Sequence, residues 1–106
     1  MSGDNYITVT SVDSIEENRV SCFRAGGVSI VICRVAGDFY AVENRCSHAD
    51  ATFDNGRLRG HRLLCPLHGA VFDVRDGSVL GAPALQSVRS YPVRINGDAI
   101  EVDIGS

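Results

Sequence analysis

The stretch that decides the reading is Cys46-Ser47-His48, followed after sixteen residues by Cys65-Pro66-Leu67-His68-Gly69. Each half joins a thiol to an imidazole at short spacing, C-x-H and then C-x-x-H, and each lies in a loop-like segment. Thiolate and imidazole are metal-seeking donors suited to transition metals. One cysteine and one histidine per loop suit a centre with one sulfur-ligated and one nitrogen-ligated metal. Two cysteines and two histidines can also hold zinc tetrahedrally. Zinc fingers, however, usually pair Cys with Cys and His with His, whereas each loop here offers one of each. A Cys-His nucleophile needs one thiolate, one base and an orienting group, so two similar pairs are better explained by shared metal ligation.

Working outward, the flanking sequence reads as short strands and tight turns. Residues 6–10 are β-branched and strand-like, and 11–18 can form one helical turn with Asp13 or Ser14 as cap and Glu16-Glu17 in its first turn. Residues 19–24 and Val28–Val35 flank Gly26-Gly27, a hairpin signal. Ala36-Gly37-Asp38 turns into a strand over 39–42, directly before Cys46. Between the two loops Asn55-Gly56 is a turn signal, and Arg62–Leu64 leads into the second loop. Residues 71–74 return from it and Asp76-Gly77 turns them over. Residues 91–95 and 99–104 form a hairpin around Asn96-Gly97-Asp98, where Asn-Gly suits a type I′ turn; Pro92 points to an edge or strand-start position. Closely spaced strands of this kind predict an all-β sandwich or small barrel with the Cys-His loops at one end.

Composition narrows the classes. The 106 residues suffice for one domain, 1–106, and 44% hydrophobic with 22% charged residues is ordinary for a folded protein. A net charge of −3 argues against nucleic acid, which needs a basic footprint. Residues 1–5 lack the basic and apolar regions of a signal peptide. The most apolar stretch, Val28–Val35, contains Ser29 and Arg34 and is far too short to span a bilayer. The expectation is a cytoplasmic monomer with no membrane partner. A reducing cytosol favours metal ligation over disulfides, which leaves Cys22 and Cys33 as small buried hydrophobes. His61 is expected to be solvent-exposed and not a ligand. All ten basic residues are Arg, and Arg45, Arg57, Arg59, Arg62 and Arg75 fall in or beside the Cys-His segment. They form either a solvated face, the simpler reading, or a rim for carboxylates on a partner.

At Cys46-Ser47-His48 and Cys65-Pro66-Leu67-His68-Gly69 the chain resembles the Rieske [2Fe-2S] family. Phe72-Asp73, Asp76-Gly77 and Gly81-Ala82-Pro83-Ala84 extend the resemblance, which covers the chain from about residue 28 onward. It implies a Rieske-like antiparallel β-sandwich with an inserted cluster-binding subdomain at about 44–84, carrying one [2Fe-2S] cluster. Cys46 and Cys65 would hold one iron, His48 and His68 the other. It also implies that the two histidines lie at the exposed end, and that 81–84 covers the cluster. Two thiolates balance the oxidised core, where four would leave it a dianion, so the potential is raised. Imidazole N–H groups facing solvent would tie proton affinity to redox state.

Departures from the pattern sort the subfamily. Rieske proteins of respiratory cytochrome bc complexes carry two further cysteines; the matching residues here are Ala51 and Leu67. Where they place Ser and Tyr hydroxyls, this chain has Ala70 and Phe72. Fewer donors to sulfur stabilise the reduced state less, which implies a potential of about −150 mV or somewhat above. The resemblance is therefore to the ferredoxins of bacterial aromatic-ring-hydroxylating dioxygenase systems, electron carriers between a ferredoxin reductase and a terminal oxygenase. The sequence shows no dinucleotide fingerprint such as G-x-G-x-x-G, and no mononuclear iron domain is expected. The small subunit of an assimilatory nitrite reductase-like enzyme is the alternative.

Overall fold

In a computed structural model, residues 5–45, 53, 56–65, 70–81 and 87–105 are described. Among the described residues there are eleven strands: β1 (Tyr6–Ser11), β2 (Val20–Ala25), β3 (Val28–Val35), β4 (Asp38–Glu43), β5 (Arg57–Arg59), β6 (Arg62–Leu64), β7 (Val71–Asp73), β8 (Val79–Gly81), β9 (Ser90–Tyr91), β10 (Val93–Asn96) and β11 (Ala99–Asp103). They form three antiparallel sheets, ordered β1-β11-β10, β2-β3-β4-β9 and β5-β6-β7-β8.

The second sheet is central, and β3 shows why. Alternate side chains of a strand point to opposite faces, yet Ile30 to Cys33 are all buried. Ile30 and Ile32 pack with Ile100 and Val102 of β11. Val31 and Cys33 pack on the other side with Phe53, Leu63 and Phe72. The continuous apolar run is thus the signature of a strand covered on both faces. Cys33 is a small buried hydrophobe as expected; burial, and next the nearby Cys22, push its thiol up to about 12. Cys22 corrects the expectation. It stands opposite Val31 on the edge strand β2 and is exposed.

Turn chemistry sets the registers. Gly26 and Gly27 both have positive φ, the type I′ pattern. The β3–β4 turn has the same pattern with Ala36 (φ 52) in the first position. The Glu17 carboxylate offsets that strain by accepting the N–H groups of Ala36 and Gly37. At the last hairpin Asn96 ends β10, and of Gly97 and Asp98 only the glycine has positive φ. That is the type II′ pattern rather than the expected I′. The expected helical turn within 11–18 is a short 3-10 turn at Val12–Ser14 without a side-chain N-cap bond. Glu16 and Glu17 follow it instead of opening it.

The third sheet lies in the chain between β4 and β9, which pair with each other in the second sheet. Pro92 sits where the chain leaves the second sheet for the first, so its missing N–H interrupts neither ladder.

Candidate metal centre

The third sheet presents Cys65 at the end of β6. Leu64 pairs with Val71, and Cys65 N donates to Ala70 O at 2.7 Å. Cys65 is 3% exposed and packs in a core with Phe53, Leu63, Ala70 and Phe72. The rings of Phe53 and Phe72 meet edge to face at 5.6 Å. A thiol at a hairpin end, backed by apolar side chains, fits a thiolate-ligated transition-metal centre and not a hard cation that needs oxygen ligands. Cys46, His48 and His68 lie outside the described residues, as do Ala51, Pro66, Leu67, Gly69 and 82–84. Gly81 ends β8.

Ala70 and Phe72 are fully buried. Neither side chain carries a hydroxyl.

The first loop has an anchor that sequence reading missed. Asn44 is 6% exposed, and its Oδ1 accepts Phe53 N at 2.8 Å. Its Nδ2 donates to Ser29 Oγ at 3.0 Å. A polar residue two positions before Cys46 reads as a turn former; only the β3–β4 pairing shows that it meets Ser29.

The arginines divide. Arg75 holds Asp73 through two side-chain nitrogens, Nε at 3.0 Å and Nη2 at 2.8 Å, and so is no open rim residue. These bonds hold the Asp73 carboxyl below its usual range. Arg57 and Arg59 share one face of β5, and Arg62 stands opposite Arg59. All three are exposed, and none makes an ion pair with another described residue. Arg57 and Arg59 also line, with Arg19, a groove of about 460 Å³ beside β2. His61 corrects another expectation: it is half-buried, with Nε2 at 3.5 Å from the Tyr40 hydroxyl and its ring edge-on to Tyr40.

With Cys65 at a loop beside an apolar core, the sequence profile of the Rieske [2Fe-2S] domain matches residues 5–92. The chain belongs to the Rieske family. Its resident cofactor is accordingly a Rieske [2Fe-2S] cluster, which removes the zinc-module reading. The ferredoxin component of a naphthalene 1,2-dioxygenase system from Pseudomonas aeruginosa is 34% identical over 95% of this chain and 97% of its own length. The biphenyl 2,3-dioxygenase ferredoxin component of Rhodococcus jostii is 38% identical over 77% of each. Among solved structures, the ferredoxin of carbazole 1,9a-dioxygenase from Nocardioides aromaticivorans superimposes with a TM-score of 0.90 at 32% identity, covering 93% of this chain and 97% of that one. A complex of reduced oxygenase and oxidised ferredoxin in carbazole 1,9a-dioxygenase contains a chain matching with a TM-score of 0.87 at 25% identity, with 93% of each covered. The all-β Rieske fold expected from the sequence is therefore present as three antiparallel sheets. Among the described residues no helix is long and apolar enough to cross a membrane.

Proposed function

We propose that this Rieske chain is the one-electron carrier of an aromatic-ring-hydroxylating dioxygenase system, accepting electrons from a ferredoxin reductase and delivering them to the terminal oxygenase. The observation that carries the reading is the match to ferredoxin components over nearly their full length. The carrier makes and breaks no substrate bonds. Its place is the cytoplasm, as a monomer whose single domain spans 1–106 with the cluster-binding part at about 44–84.

Cys46 and Cys65 are the thiolate ligands, and His48 and His68 the imidazole ligands. When bound, the cluster supplies one-electron redox chemistry. The chain's own part is to hold and shield it. Phe53, Leu63 and Phe72 form a dry wall behind Cys65. The resemblance implies that His48 and His68 lie at the exposed end, where a partner can dock. The ferredoxin–oxygenase complex among the similar structures supports docking of this kind.

Two experiments test this. Cys46→Ser or His68→Ala should abolish the visible cluster spectrum, while Cys22→Ser or His61→Ala should leave it intact; bleaching by Cys22→Ser would contradict the ligand set. In rapid mixing, the reduced chain should be reoxidised by an oxidised terminal oxygenase of a naphthalene dioxygenase system. Failure to exchange electrons, with the cluster intact, would point to the nitrite reductase-like alternative.

A further inference from the structure

Asn44 and Asp73 are the two polar or charged side chains buried among the described residues. Arg75 accounts for Asp73. Asn44 has a different task, because it joins three segments. Its backbone N donates to Ser29 O at 3.0 Å and its Nδ2 to Ser29 Oγ at 3.0 Å, which fixes it to β3. Its Oδ1 accepts Phe53 N at 2.8 Å. An amide carries a donor and an acceptor on separate prongs, so one side chain can serve both neighbours. The Phe53 N–H can only donate, which settles the amide orientation.

Asn44 and Phe53, which flank the Cys46–His48 segment in the sequence, are therefore tied by one side chain. Beyond the tie, Phe53 is fully buried and its ring packs on Phe72. Phe72 pairs with Leu63 in the hairpin that carries Cys65. A continuous path thus runs from Ser29 through Asn44 and Phe53 to Phe72 and the β6–β7 hairpin.

We propose that Asn44 is a positioning residue for the metal centre. It sets the loop bearing Cys46 and His48 against the hairpin bearing Cys65 and His68. The inference rests on the ligand assignment above. Each loop supplies half of the ligands, so the loops must converge in register. Without Asn44 Oδ1, the buried Phe53 N–H loses its acceptor, and Phe53 is free to shift against Phe72. An aspartate at the same place keeps the acceptor, and the Ser29 hydroxyl can rotate to donate to it.

The test uses the cluster-loaded protein and the variants Asn44→Ala, Asn44→Asp and Ser29→Ala. One readout is the rate at which the visible band bleaches in excess EDTA; the other is the set of g values of the reduced state. Asn44→Ala should lose its cluster roughly tenfold faster or more, the scale expected for an unpaired buried N–H, with altered g values. Asn44→Asp should keep the parental g values and bleach within about twofold of the parent, and Ser29→Ala should bleach a few-fold faster. A residue that only stabilised the fold would lower the melting temperature and leave the g values unchanged. Parental g values and bleaching in folded Asn44→Ala would overturn the proposal. Should that variant fail to fold, parental behaviour of Ser29→Ala overturns it instead. A parent that lacks a Rieske signal removes the ligand assignment and this inference together.

Discussion

Gly77→Ala should open the seam between the third sheet and the returning chain. Gly77 has φ +79, where an L side chain is strained, and a Cβ there would lie 2.0 Å from Val88 O. The left-handed conformation alone costs about 1–2 kcal/mol. Ordinary contact begins at 3.4 Å, so the Val88 carbonyl must retreat by about 1.4 Å. That movement breaks the 2.9 Å bond from Val88 N to Gly77 O. Val88 is buried, and an unpaired buried N–H adds about 1–3 kcal/mol. The sum is about 2–5 kcal/mol. Gly27→Ala is the control. Its φ is +83 but nothing lies within 4 Å of the added Cβ, so only the conformational cost of about 1–2 kcal/mol applies. Urea denaturation of both variants measures the difference. In thermal melts each kcal/mol should appear as a loss of roughly 4–8 °C for a chain of this size. Equal destabilisation of the two variants would refute the seam.

Phe72→Tyr adds a hydroxyl to a side chain that has none; it should raise the reduction potential, measured by redox titration, and an unchanged or lower value would remove missing hydrogen bonds as a cause of the low potential expected from the sequence. Asp73, held below its usual range first by its hydrogen bonds to Arg75, contributes stability that is complete above the unfolded carboxylate pKa of about 3.9 and is lost as pH falls through the lower folded value. The urea midpoint should therefore fall more steeply below about pH 4 in the parent than in Asp73→Asn, and parallel curves would contradict the pairing. Replacing Arg57, Arg59 and Arg62 by Gln should slow oxidation of the reduced protein by anionic hexacyanoferrate(III) and speed oxidation by a cationic cobalt hexaammine. Both effects should fade as ionic strength reaches about 0.1 M, where screening acts over ~10 Å; equal shifts with both reagents would leave these arginines a solvated face.

The strands were legible where side-chain pattern and turn chemistry agree. Gly26-Gly27 located the β2–β3 hairpin, and Arg62–Leu64 was readable despite its three residues because a loop motif follows it directly. The Cys-His constellation likewise led to the family and its cofactor, because few chemistries need that donor set. Neighbours from distant parts of the chain were less visible. Val28–Val35 reads as an apolar strand, but the sequence does not say that its two faces serve different cores. For the same reason Cys22 and Cys33 looked alike, although one lies on an edge strand and the other at the centre. His61 gained its Tyr40 contact from a strand twenty-one residues away. Asn44 is the clearest case: an asparagine before a loop suggests a turn, and its bonds to Ser29 and Phe53 exist only once β3 and β4 pair.

The most direct test of the account is electron paramagnetic resonance of the dithionite-reduced protein. A rhombic signal, with an average g value near that of mixed histidine and cysteine ligation, is the predicted result. A silent sample containing stoichiometric zinc would contradict the central claim, and electron transfer by this chain would fall with it.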